Sequence, residues 1–332
     1  MTQTAPAVDS RTLRVAVAGN PNSGKTTIFN SLTGMRLKVG NYAGVTVERR
    51  EGRLRGDPDN RILLVDMPGT YSLAARSLDE RIARDVLLGW QPGEPPPDAV
   101  IVVLDASNLE RNLYLATQIL DLNLPVVFLC NMIDIARNRG LTISLSRLGK
   151  AFGVPVIATI GNRGEGVDEV VPALRQVLRT PPAHRPTCPL PEPIEQHAAR
   201  LGRVLIQHNL ATARTARGAA LLLLLRPSQV EHGIDEPLPP EVDQALHGAR
   251  TSLAAAGYDD LSSWLVQRRY EWLDERLAGV LRQGPTRRET LSDRIDHVLT
   301  HKVLGMAIFA AIMFGMFAAI FWLAEPVMGR IE

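Results

Sequence analysis

Gly19-Asn20-Pro21-Asn22-Ser23-Gly24-Lys25-Thr26 is the stretch on which the reading of this chain turns. It fits the pattern G-x-x-x-x-G-K-[ST]. The apolar run from Leu13 to Ala18 predicts a buried strand before it, and Lys25 to Leu32 predicts a helix after it. Strand, loop and helix in that order are the context the pattern needs. A glycine-rich turn lets successive backbone N–H groups face one anion, and the helix N-terminus adds a favourable dipole. Gly19, Asn20, Pro21, Asn22, Ser23, Gly24, Lys25, Thr26 and Thr27 are therefore the candidate phosphate-binding residues. Lys25 can reach the β- and γ-phosphates of a nucleotide, and the Thr26 hydroxyl can ligate Mg²⁺. The competing reading is a glycine turn that merely joins a strand to a helix, so specificity has to come from the residues downstream.

Three further groups fall in order, each beside a predicted strand. Thr46 lies in the loop Val39 to Thr46, which contains Gly40 and Gly44. A threonine there can offer its hydroxyl to Mg²⁺ and its N–H to a γ-phosphate, ordering with the triphosphate and relaxing after hydrolysis. Asp66-Met67-Pro68-Gly69 follows the strand Ile62 to Val65. Asp66 can hold Mg²⁺ through water, and the Gly69 N–H can sense the γ-phosphate. Asn131-Met132-Ile133-Asp134 follows the strand ending at Cys130. The Asp134 carboxylate can accept from guanine N1–H and the exocyclic amine, whereas adenine offers neither donor. GTP is thus the expected nucleotide, with Asn131 tying this loop to the phosphate loop.

From Arg11 to Arg179 strand and helix patterns alternate, which predicts an α/β fold with a mostly parallel sheet. Strands Val45 to Leu54 and Arg61 to Asp66 are expected to form a hairpin around Asp57-Pro58-Asp59-Asn60. Ser77 and Glu80 form a capping box for a helix from Ser77 to Trp90. The proline-rich stretch Thr180 to Pro193 reads as a linker. Four helices are expected from Ile194 to Leu281, with Leu221 to Leu225 as their core. We expect a G domain over 1–182, a helical domain over 183–285 and a membrane-entry segment over 286–332.

Val303 to Ala324 carries no charge for about 22 residues, enough for a helix of ~33 Å against a hydrocarbon core of ~30 Å. Basic residues precede the run and Glu325 and Glu332 follow it, so residues 1 to about 300 are expected on the cytoplasmic side. A net charge of +2 implies no nucleic-acid field, and none is expected as a partner. Two distant cysteines, Cys130 and Cys188, fit a reducing compartment. His297 and His301 share a helix face, where a cap is a plainer role than a metal relay.

These residues resemble the FeoB family of bacterial ferrous iron transporters. The resemblance is carried by Gly19 to Thr26, Val39 to Glu48, Asp66 to Leu73, Ser77 to Val86 and Asn131 to Asp134. The stretch Leu291 to Leu304 adds to it. It implies a Ras-like P-loop G domain, a small all-α domain resembling a dissociation inhibitor, and the first helix of a polytopic inner-membrane protein. The chain would then be truncated before most of the transport domain. That missing domain, small accessory transport proteins and a second copy of the chain are the partners to expect. GTP or GDP, Mg²⁺ on Thr26, Thr46 and Asp66, and K⁺ on Asn22 are the implied ligands. Lys25, Asn22, Gly69 and Thr46 would carry hydrolysis. Thr159-Ile160-Gly161 stands at the fifth guanine loop, where the Gly161 N–H would reach the guanine carbonyl. Thr70 occupies the place of a water-orienting glutamine, so slow intrinsic hydrolysis is expected, with K⁺ able to stimulate it. The competing function is a membrane-tethered GTPase of ribosome or RNA assembly, which would need a basic domain after Pro193. The region from Ile194 to Gln283 is instead mixed in charge.

Overall fold

The computed structural model describes residues 11–35, 37–180, 185–226, 238–283, 298–301 and 303–328, with side chains in the last helix described as far as Ala319. The described chain divides after Gln283 into two compact units.

The first unit is built on a seven-stranded sheet. Its strands are β1 (Leu13–Gly19), β2 (Leu37–Asn41), β3 (Glu48–Arg53), β4 (Ile62–Asp66), β5 (Ala99–Asp105), β6 (Val126–Asn131) and β8 (Val156–Ala158). Their order is β2-β3-β4-β1-β5-β6-β8. The sheet is parallel from β4 to β8, with β2 and β3 antiparallel at one edge. Strand β1 is buried on both faces, which is why it reads as a continuous apolar run. Val15 and Val17 pack with Ile28 and Phe29 of α1 (Lys25–Thr33) and with Val170 and Leu174 of α6 (Val170–Arg179). Ala16 and Ala18 face the other core, which holds Leu113 and Ala116 of α3 (Leu109–Asp121). Each fully buried large apolar side chain contributes about 1.5–3 kcal/mol.

Helix α2 (Leu78–Leu88) begins where the capping box placed it: the Glu80 N–H donates to Ser77 Oγ at 3.3 Å. The hairpin is also present, with β3 and β4 antiparallel and Asp57 Oδ2 accepting from the N–H groups of Arg61 and Ile62. Several elements differ from expectation. The first half of the Thr46 loop is strand β2, because Leu37 to Asn41 finds a full ladder on β3. Helices α4 (Ile133–Asn138) and α5 (Leu145–Phe152) were too short to read from periodicity. A two-stranded sheet pairs β7 (Leu141–Ile143) with β9 (Leu281–Gln283), so strand structure returns at the end of the helical segment.

The helical segment comprises α7 (Glu192–Gln207), α8 (Ala216–Leu225), α9 (Pro240–Ala255) and α10 (Leu261–Leu277). Helix α7 starts inside the expected linker, with Pro193 in its first turn, where the missing N–H costs nothing. Leu221 to Leu225 are buried in the same core as the sheet. Trp272 of α10 meets Phe152 of α5 edge-on at 5.8 Å, and Tyr270 stacks on Tyr114 of α3 at 5.2 Å. Asp121 at the end of α3 accepts from Arg269 at 2.7 Å and from Arg217 at 3.3 Å, all within this packed interface. The helical segment is therefore seated on α3 and α5. Both cysteines are buried free thiols.

The second unit contains α11 (Leu304–Met328). The His301 Nδ1 accepts from the N–H groups of Val303 and Leu304 at 3.3 and 3.2 Å, which makes it a cap; His297 lies outside the described residues. Met306, Phe309, Ile312 and Phe314 are exposed on this helix. The expected span 303–324 overlaps α11, which runs from Leu304 to Met328, and the side chains from Ile320 onward lie outside the described residues. Among the described residues, no helix is long and apolar enough to cross a membrane.

Candidate nucleotide site

Every candidate loop leaves the carboxyl end of a sheet strand: Gly19 ends β1, Asp66 ends β4, Asn131 ends β6 and Ala158 ends β8. Ligands of open α/β sheets bind along this edge.

The phosphate loop turns from β1 into α1 through two left-handed residues, Asn22 at φ 64° and Gly24 at φ 82°. Gly24 is needed for space as well as for its φ, since a Cβ there would stand 2.2 Å from Asn131 Nδ2. Gly19 is equally constrained, with a Cβ 2.6 Å from the Val103 carbonyl. Helix α1 has no side-chain cap, so the first-turn N–H groups of Lys25, Thr26 and Thr27 are left for a ligand. Thr26, Thr27 and Asn22 are exposed, whereas Asn20, Ser23 and Lys25 are buried. Asn20 Oδ1 and Ser23 Oγ are buried without a partner. Bare N–H groups, orphaned polar atoms and a buried lysine suit an anion bearing several oxygens.

Lys25 Nζ forms a buried ion pair with Asp66 Oδ1. Burial pushes the Asp66 carboxyl above its ordinary pKa, and the Lys25 charge and hydrogen bond pull it back. Two hydroxyls, Thr26 and Thr46, and the Asp66 carboxylate are a donor set for a hard divalent cation. Thr46 is exposed in the loop before β3. Gly69 packs against Pro21 of the phosphate loop, 3.3 Å from its Cα to an added Cβ. The Thr70 N–H reaches the Gly19 carbonyl at 3.3 Å, which closes the two loops on each other. Thr70 Oγ1 is buried and spent on the Ser72 carbonyl at 2.7 Å.

Asn131 joins this phosphate end to the base end. Its Nδ2 donates to the Ser23 carbonyl at 2.9 Å. Its Oδ1 accepts from the Gly161 N–H at 3.0 Å and from Thr159 Oγ1 at 3.4 Å. The Gly161 N–H, expected at a guanine carbonyl, is therefore directed at Asn131, because a buried amide oxygen needs donors. Ile160 is buried with Ile133, Ala136 and Ala106 in a small separate core. Asp134 lies half-buried in the first turn of α4, entered through Met132 at φ 59°.

Four contributors were not foreseen. Ser31 Oγ donates to the Gly161 carbonyl at 3.1 Å. Gln118 accepts from the Leu73 N–H at 2.8 Å. Arg111 lies 4.3 Å over the Tyr71 ring. Tyr42 sends its hydroxyl to the Asp66 carbonyl at 2.9 Å. The first three lie on helix faces where periodicity reports only amphipathicity. Tyr42 stood inside the Thr46 loop, an aromatic in a glycine-containing stretch.

A phosphate loop between β1 and α1, with further loops at the same sheet edge, defines a P-loop G domain. The family model described as ferrous iron transport protein B matches residues 13–174. The Fe(2+) transport protein A/Fe(2+) transporter FeoB fusion protein of Porphyromonas gingivalis is 36% identical over 332 residues, covering 96% of this chain and 38% of that protein. The Fe(2+) transporter FeoB of Escherichia coli K12 is 33% identical over 324 residues, covering 92% of this chain and again 38% of the relative. Among solved structures, a GDP-bound variant of the S. thermophilus FeoB G domain is 33% identical with a TM-score of 0.67, over 81% of this chain and 100% of that one. The cytosolic domain of L. pneumophila FeoB is 31% identical with a TM-score of 0.65, over 81% and 99%. The chain belongs to the FeoB family of ferrous iron transport proteins.

Proposed function

We propose that the chain binds GTP, hydrolyses it slowly, and acts as the nucleotide-responsive cytoplasmic part of a ferrous iron transporter in the bacterial inner membrane. The observation that carries this reading is Asn131, which fastens the phosphate loop and the Thr159-Ile160-Gly161 loop into one continuous cradle. The GDP-bound FeoB relative supports guanine as the base, with Asp134 reading its N–H edge.

Phosphoryl transfer needs positioning and charge neutralisation more than covalent chemistry. Lys25 leaves Asp66 for the β- and γ-phosphates. The first-turn N–H groups of α1 hold phosphate oxygens, and Gly69 and Thr46 present N–H groups to the γ-phosphate. Thr26, Thr46 and Asp66 would hold Mg²⁺, which neutralises the charge on the phosphate oxygens. Thr70 is committed within its own loop, so no side chain at that position orients the attacking water, and the intrinsic rate is slow. Asn22, exposed on a left-handed turn, is the ligand we assign to K⁺. Faster hydrolysis in KCl than in NaCl, lost in Asn22→Ala, is the expected result; equal wild-type rates in both salts would refute the assignment.

The region through Gln283 would be cytoplasmic and α11 would enter the membrane. The fused transport protein A of the P. gingivalis relative supports a small accessory partner. These relatives and the mixed charge of the helical segment favour iron uptake over RNA assembly. Competition against a fluescent-labelled guanine nucleotide tests the central reading. Unlabelled GTP should displace the label at least about 10²-fold better than ATP, since adenine supplies neither of the two hydrogen bonds that the Asp134 carboxylate accepts. Equal displacement by ATP would sink it.

A further inference from the structure

Tyr42 is 1% exposed, although it sits in the loop that carries Thr46. Its ring packs with Ile82 and Val86 of α2, and Val45 and Val47, the neighbours of Thr46, pack against the same cluster. Its hydroxyl donates to the backbone carbonyl of Asp66 at 2.9 Å. That carbonyl belongs to the last residue of β4, where the chain turns toward Gly69. The Tyr42 N–H also bonds the Val47 carbonyl at 3.0 Å, and Val45 N–H bonds the Tyr42 carbonyl at 3.2 Å, so Thr46 is held in a short closed loop.

We propose that Tyr42 is a positioning residue for the Mg²⁺ side of the site: its hydroxyl clamps the Asp66 peptide, and its ring anchors the loop that presents Thr46. The two groups come from different segments, Asp66 from the end of β4 and Thr46 from the loop before β3, and both depend on one side chain. Fixing their separation before the ligand arrives removes part of the ordering cost of binding. Gln91 gives an internal contrast. Its Nε2 donates to the Ala43 carbonyl at 3.2 Å and anchors the same loop without touching Asp66.

The proposal rests on the nucleotide reading above, and the test separates the two. Dissociation of a fluorescent, non-hydrolysable GTP analogue is measured against Mg²⁺ concentration and again in excess EDTA. The proteins are wild type, Tyr42→Phe and Gln91→Ala, with thermal unfolding followed in parallel. Tyr42→Phe keeps the ring and removes only the hydroxyl. It should raise the Mg²⁺ concentration needed for half-maximal retention about threefold to tenfold, the range one hydrogen bond covers. Its EDTA dissociation rate should stay within about twofold of wild type. Gln91→Ala, which loosens the loop but leaves Asp66 untouched, should shift the Mg²⁺ requirement by less than Tyr42→Phe does. An unaltered Mg²⁺ requirement in Tyr42→Phe overturns the proposal. So does an equal loss in EDTA, which would mean a general loosening. Failure of wild type to retain the analogue would instead overturn the nucleotide reading itself.

Discussion

The two ends of the nucleotide cradle are built differently. The phosphate end is made of backbone and charge: Gly19 and Gly24 admit no side chain, and Lys25 and Asp66 neutralise each other in a buried pair. It sits on β1 and β4, inside the main sheet. The base end is made of loops and a small core of Ile133, Ala136, Ile160 and Ala106, with Leu141 and Ile143 of β7 packed against it. Through β7 it is laddered to β9, the last strand before the second unit. Rigidity is concentrated where the triphosphate would react. The end that would choose the base hangs on short elements, whose opening costs fewer contacts.

Breaking the phosphate end should have the largest effect. Lys25→Ala should lower single-turnover GTP hydrolysis by about 10²–10³, the usual cost of deleting one preorganised charge donor. The same variant has a stability signature without nucleotide. Burial raises the folded-state pKa of Asp66 above its ordinary 3.8, and Lys25 opposes the rise. A carboxyl raised on folding lowers stability as pH climbs from its unfolded pKa to its folded one. Without Lys25 the folded value moves higher still. The melting-temperature gap between Lys25→Ala and wild type should therefore widen as pH rises above the ordinary Asp66 value of 3.8. A constant gap would mean the buried pair does not set the protonation of Asp66.

The base end should change selectivity rather than chemistry. Asp134→Asn replaces an acceptor of two N–H groups by an amide that turns a donor toward one of them. GTP affinity should fall about 10²-fold, and xanthosine triphosphate, which carries a carbonyl in place of the amine, should become the better ligand. Hydrolysis of bound xanthosine triphosphate should run near the wild-type GTP rate. A matching loss of that rate would show that the ends are not separable.

The same contrast explains what was legible in the sequence. The phosphate end demands particular residues, so glycine, lysine and aspartate appear at fixed places after strands, and the sheet edge could be read from them. Buried parallel strands such as β5 and β6 announce themselves as apolar runs. The base end relies on backbone groups and on elements of three to eight residues, β7, α4 and α5, which periodicity cannot resolve. Strand β9 escaped because three residues at the end of a helix carry no pattern; only pairing with β7 makes them a strand. The Gly161 N–H was assigned to the ligand because the sequence does not reveal that Asn131 faces it. Tyr42 was passed over because a buried role for a loop aromatic depends on α2, far along the chain.

Asn131 is where the two ends meet, and its removal gives the most discriminating result with the smallest expected effect. Asn131→Ala takes the donor from the Ser23 carbonyl and the acceptor from the Gly161 N–H, both on a residue only 2% exposed. Each group left unpaired costs about 1–3 kcal/mol, so urea unfolding should show a loss of about 2–4 kcal/mol rather than the sum of two maxima, since water enters the gap. Relaxation of the phosphate loop and of the Gly161 loop then becomes independent. Affinity for GDP should fall about tenfold, while pyrophosphate, which occupies only the phosphate end, should lose about threefold. If pyrophosphate binding is unchanged, Asn131 serves the base alone and the ends are mechanically separate. If both ligands lose equally, the amide acts by holding the phosphate loop in shape, and the base end follows it passively.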